Sequence, residues 1–189
     1  GNWLTQWRPE LLYSVIALLL AVYYLHLVRR VPGWRASRTA WWLLGCATVV
    51  VTLSSGLGMH MAAAYSTHMT VHMILSMGAP VFFVLGAPLT LVREAYPAGE
   101  FNPRLWAESF QHSRLVRVIT YPPVSAVQFL VLFYVMYVFP SLYELMISEH
   151  AGHVIMNAVF LVSGYFYFWE LIGPDEIPSR ASAKVRLAW

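Results

Sequence analysis

An all-α, polytopic membrane helix bundle is the fold class this sequence predicts, and three observations predict it. Of its 189 residues, 59% are hydrophobic and only 11% are charged, against roughly 25% charged in a soluble domain. The apolar residues come in runs of about 20 with few or no charges, the length that crosses a bilayer as a helix. The basic residues fall almost wholly on one side of those runs, as they do in cytoplasmic loops.

Five spans are expected within a single membrane domain covering residues 1–189. The first is Leu11–Val28, LLYSVIALLLAVYYLHLV. The second runs from Trp41 to about Met61. The third runs from about Met69 to Val92 and carries Pro80 and Pro88. The fourth is Val124 to about Met146, with Pro140 inside it, and the fifth runs from about Gly152 to Ile172.

Orientation follows from charge. Arg29, Arg30, Arg35 and Arg38 lie between spans one and two, and Arg93, Arg104, Arg114 and Arg117 between spans three and four. Arg180, Lys184 and Arg186 lie in the tail. Arg8 is the remaining member of the 12 Lys and Arg residues. The N-terminus is therefore expected outside and the C-terminus inside. The pI near 9.1 reports this asymmetry and gives no reason to expect a nucleic-acid partner.

The loops between spans two and three and between four and five are short, so each pair forms a tight antiparallel hairpin. The longer inner loop contains FNPRLWAESFQHSRLVRVI. Its apolar residues among charges predict an amphipathic helix lying along the cytoplasmic interface. The echo Gly78-Ala79-Pro80 and Gly86-Ala87-Pro88 predicts kinks in span three and close approach of its neighbours. Cys46 is the one cysteine. That excludes a disulfide framework and a Cys-x-x-Cys metal or redox motif.

The stretch STHMTVHMILSMGAP, Ser66 to Pro80, opens span three with two histidines and two methionines, each pair four residues apart. His60 ends span two, and His150 and His153 open span five, so three helix ends carry imidazoles at the outer face. Met69, Met73 and Met156 lie in the same half. At 100° per residue His68 and His72 are about 40° apart, and Met69 and Met73 cover the adjacent sector. On span five, His150, His153 and Asn157 share a stripe with Gly164, where a partner helix could pack. Imidazole and thioether donors without thiolate suit copper, methionine selecting Cu(I) and histidine serving either state. Zinc would use the histidines but gain little from the methionines. The plainer alternative is that such histidines are half-solvated interface residues and the methionines packing filler; His26 and His112 are read that way.

Glu170, in YFYFWELIG, is read as a structural carboxylate near enough to the interface to be solvated. Trp3, Trp7, Trp34, Trp41, Trp42 and Trp169 are read as an interfacial belt.

The run STHMTVHMILSMGAPVFFVLGAPLTLVREA resembles the signature of the CtaG-type membrane proteins associated with caa(3)-type cytochrome c oxidase assembly. HAGHVIMNAVFLVSGYFYFWELIGPDEIPSR is similar to a second block of that family, and YPPVSAVQFLVLFYVMYVFPSLYE to the span between them. The resemblance covers about Trp7 to Arg186. It implies a multi-pass bacterial cytoplasmic-membrane protein, non-enzymatic, that helps provision a terminal oxidase with copper. It implies as partners the copper-containing oxidase subunit and other copper-handling proteins. The matched positions are His68, Met69, His72, His150, His153 and Met156.

This sequence departs from the family pattern in places. Asn157 stands where the family commonly has histidine, and Glu176 replaces the first proline of a Gly-x-Asp-Pro motif. The family continues with further spans beyond Arg186, so a shortened or incomplete C-terminus is expected. In some bacteria the module is fused to a copper-resistance membrane domain, which suits a chain that begins without methionine.

The expected function is copper binding through His68, His72, His150 and His153, with Met69, Met73, His60 and Met156 as further donors. Two alternatives stay open. Paired histidines on facing helices could hold a b-type haem for electron transfer. The chain could also be a scaffold subunit of a respiratory complex with no cofactor.

Overall fold

The computed structural model describes residues 10–59, 65–97, 102–139, 150–177 and 182. All regular structure among them is helical: α1 (Leu11–Val28), α2 (Ala36–Ser54), a short α3 (Gly56–Met59), α4 (Tyr65–Met73), a π-helical turn (Ile74–Gly78), α5 (Ala79–Leu85), α6 (Pro88–Ala95), α7 (Pro103–Gln111), α8 (Arg114–Ile119), α9 (Pro122–Val138) and α10 (His150–Ile172). Among the described residues four stretches are long and apolar enough to cross a membrane: Leu11–Val28, Ala36–Ser54, Ser66–Ala95 and Ala151–Ile172. The first predicted span matches α1 end to end. The second begins earlier, at Ala36, and breaks at Ser55. The fourth corresponds to α9, helical from Pro122 to Val138; the remainder of that span, with Pro140, lies outside the described residues.

α2 packs between α1 and α5, while α10 lies along α5, the π-turn and α9. Tyr13, Leu27, Val49, Leu75, Met156 and Phe160 are among the buried residues of the core those helices share. The opposite face of α1 is bare hydrocarbon, with Leu11, Val15, Leu18 and Val22 all more than half exposed. A helix apolar on all sides is stable in that arrangement when lipid is its solvent.

Span three is broken twice, each time before a proline. Pro80 has no N–H to give the Ser76 carbonyl, and its ring crowds that carbonyl. The preceding turn widens into the π-turn Ile74–Gly78. Gly164 of α10 fits against the widened turn: a Cβ there would stand 2.0 Å from the Ser76 oxygen. The second break is sharper. Pro88 disfavours the right-handed helical region for the residue before it, and Ala87 adopts the left-handed region at φ 49°, ψ 56°. That conformation costs a non-glycine residue about 1–2 kcal/mol, and its neighbours hold it. The Tyr24 hydroxyl donates to the Gly86 carbonyl at 2.6 Å, and the Trp34 indole N–H donates to Tyr24 at 3.2 Å.

Three sequence expectations are corrected. The interfacial helix is two helices, α7 and α8, divided at His112–Ser113, because the Ser113 hydroxyl accepts from the Val116 amide and starts a new helix. Trp42 and Trp169 are not belt residues. Trp42 is buried, stacked on Tyr24 at 4.9 Å, and Trp169 lies fully buried with Val84, Val116 and Ile177. Glu170 is fully buried as well, not solvated.

Candidate functional site

The site is built where α4 meets α10. His68 and His72 stand one turn apart on α4 and are 1% and 0% exposed. Their rings stack at 4.3 Å between centroids, 22° from parallel. From α10, His153 meets His68 at 6.4 Å with planes inclined by 68°. Deeper in, the Phe160 ring stands edge-on to His72 at 4.4 Å. The two helices run in the same direction, so successive turns of each face one another in register.

The π-turn supports the floor of this arrangement. Its Ser76 hydroxyl donates to the His72 carbonyl at 2.7 Å, which occupies a carbonyl at the end of α4 where the regular ladder changes pitch. Ser76 and Phe160 are supports that the histidine pattern alone does not announce. Their only sequence signal is spacing, Ser76 four residues after His72 and Phe160 seven after His153.

Neither ring nitrogen of His72 has a hydrogen-bond partner among the described residues, and the same holds for Asn157 Oδ1. Asn157 is 6% exposed and lies one turn beyond His153. A buried polar atom left without a partner costs about 1–3 kcal/mol, so such atoms in a native interior call for a functional explanation. An imidazole lone pair held out of water is a donor for a cation. Among the described residues no three His, Cys, Asp or Glu side chains stand in coordinating geometry as they are.

The other predicted donors divide. Met69 is partly buried. Met73 is 50% exposed, on a sector of α4 beside that of His72 but open to the outside, as Met77 is one turn further on. Met156 is 1% exposed and packs in the core. The structure thus brings together His68, His72 and His153 and leaves Met73 on the outside. His150 opens α10, its side chain lying outside the described residues, as does the whole of His60.

A second polar cluster lies at the arginine-rich end. Asp175, in the segment after α10, accepts from the Leu89 amide at 3.2 Å and the Thr90 amide at 2.8 Å, capping α6 just past the Ala87 elbow. Burial pushes the Asp175 carboxyl above its ordinary pKa, opposed by the bonds from Thr90 and Leu89 and by the charge of Arg38. Glu176 pairs with Arg93 at 2.8 Å, and that hydrogen bond and charge hold its carboxyl below its usual pKa. Glu108 joins them, 3.7 Å from Arg93 and 2.8 Å from Arg104. Glu176, a departure from the family pattern, is thus an ion-pair partner.

An uncharacterized protein of Mycobacterium bovis is 37% identical over 185 residues, covering 94% of this chain and 28% of the relative. One of Mycobacterium tuberculosis gives the same figures. One of Mycobacterium leprae is 34% identical over 191 residues, covering 97% of this chain and 29% of the relative. The chain therefore spans less than a third of the length of these curated relatives. No solved structure matches. The profile described as cytochrome c oxidase caa3 assembly factor matches residues 18–189. A match running from the middle of α1 to the last residue takes in most of the chain, and on it the chain belongs to the Caa3_CtaG family of cytochrome c oxidase caa3 assembly factors.

Proposed function

We propose that this chain is a copper-handling module in the assembly of a terminal cytochrome c oxidase, with copper as its cargo. His68, His72 and His153 would hold the ion transiently, and His150 would add an imidazole at the same helix end. The observation that carries this reading is the imidazole group between α4 and α10, above all the buried His72 ring without a hydrogen-bond partner among the described residues. Three imidazoles suit copper in either oxidation state. The stacking of His68 on His72 favours exchange, because rings that turn to bind can turn back to release.

The partners in this reading are the copper-containing subunit of the oxidase and other copper-handling proteins. The arginine-rich loops face the cytoplasm, so the imidazole end opens on the outer face of the bacterial cytoplasmic membrane. The test is copper titration of the purified protein in detergent. Near-stoichiometric binding that collapses in the His72→Ala/His153→Ala double variant supports the reading. Binding unchanged in that variant removes it. A Soret band in the purified protein would replace copper with haem.

A further inference from the structure

Asn157 is the second buried group at this site whose polar atom has no partner among the described residues. Its Oδ1 is without a hydrogen bond, and the residue is 6% exposed. The register of α4 against α10 locates it. His68 faces His153, and His72 faces Phe160. Asn157 lies between the two α10 residues, one turn below His153 and three residues above Phe160. The deeper half of the cluster is therefore His72 with the amide of Asn157 at about the same depth.

The kind of atom on that face matters as much as its position. Met73 is half exposed, so its sulfur is not grouped with the rings, while Met156 is buried in the core cluster that also holds Phe160. Thioethers select Cu(I), carbonyl oxygens suit harder cations, and imidazole serves both. A shell of imidazole nitrogens and one amide oxygen is harder than the mixture of histidine and methionine in the sequence would give.

We propose that Asn157 is a donor of this site, its amide oxygen joining His72 and His153 on a bound cation, and that the resulting nitrogen and oxygen shell selects Cu(II) over Cu(I). The proposal rests on the copper reading above and adds to it the identity of a further donor and the oxidation state of the cargo. A neutral oxygen is a weak donor, which also keeps the site exchangeable.

The experiment measures Cu(II) and Cu(I) affinities separately, the latter under anaerobic reducing conditions, by competition with chromophoric chelators. It uses the whole chain in detergent and three variants: Asn157→Leu, Asn157→Met and His72→Ala. Circular dichroism checks that each is folded. Leucine keeps the branched four-atom shape of the asparagine side chain without a donor, and methionine supplies a thioether. Asn157→Leu is expected to lose about tenfold in Cu(II) affinity, the lower end of what perturbing a metal shell costs, and far less in Cu(I) affinity. It should also change the Cu(II) electron paramagnetic resonance spectrum. Asn157→Met is expected to reverse the preference toward Cu(I). A loss that a structural role alone would cause should weaken both ions alike, and that result would overturn the proposal. So would Cu(II) binding that His72→Ala abolishes but Asn157→Leu leaves unchanged in affinity and spectrum; the copper reading would then survive alone. Failure of the wild-type chain to bind either ion removes both.

Discussion

Gly164 and Ser76 approach so closely that a Cβ at residue 164 would lie 2.0 Å from the Ser76 carbonyl oxygen and 2.8 Å from the Pro80 ring. Neither obstacle is a flexible side chain that could swing aside. The contact fixes the distance between α10, which carries His153, and the π-turn directly below His72. Gly164→Ala should push the two apart. Overpacking of this kind costs about 1–3 kcal/mol, and the upper half of that range is expected against backbone. Thermal unfolding in detergent should show a drop of several degrees, since about 2–4 °C accompanies each kcal/mol at this chain length. Copper affinity should fall with it.

Asp175 makes stability depend on pH in a direction opposite to most carboxylates. Its folded pKa is raised by burial, so the folded state holds this proton more tightly than the unfolded chain does. Its contribution is fully present below the ordinary carboxylate value of about 4 and is lost as pH rises through the raised folded value. Glu176 has its pKa lowered by Arg93. It contributes above its ordinary value and loses that contribution as pH falls through the lowered one. Because Glu176 is 75% exposed, its pair with Arg93 is worth about 1 kcal/mol or less. Unfolding midpoints measured across the acid range should show Asp175→Asn flattening the decline above pH 4, whereas Glu176→Gln leaves it in place. Asp175→Ala, which also removes the cap on α6, should cost about 0.5–2 kcal/mol below pH 4 and less as pH rises through the raised folded value.

The π-turn and the left-handed elbow both bend span three where the two Gly-Ala-Pro triplets sit, because proline acts on the residues beside it and its effect is local. Gly164 as a packing point could likewise be read from its stripe with His153 and Asn157. The corrections came from contacts distant in sequence. Nothing near Asp175 says that it caps a helix whose capped amides lie 85 and 86 residues away. Trp42 and Trp169 have the composition of belt residues, yet neighbouring aromatics and the second core cluster enclose them. Glu170 was placed by its distance from the span's end, which gives depth and says nothing about which side of the helix faces the core. The same ambiguity of phase put Met73 beside the histidines. Helical spacing gives it a sector next to His72, and the packing of α10 decides that this sector lies outside.

Met73 therefore yields a prediction that separates the structure from the bare pattern. Met73→Leu conserves volume and removes the sulfur. It should leave His72-dependent copper binding within about twofold, since no thioether at that position faces the rings, and a change below about 1.4 kcal/mol is less than tenfold in affinity. Competition titration of the variant beside wild type is the check. A tenfold loss would return Met73 to the set of donors.

Whether imidazoles from α4 and α10 bind the same ion can be read from pulsed electron paramagnetic resonance of the Cu(II)-loaded chain. Nitrogen couplings from at least two imidazoles are expected in the wild type, with one coupling disappearing in His153→Ala and another in His72→Ala. Couplings from a single imidazole, or a spectrum that neither substitution alters, would contradict a shared ion.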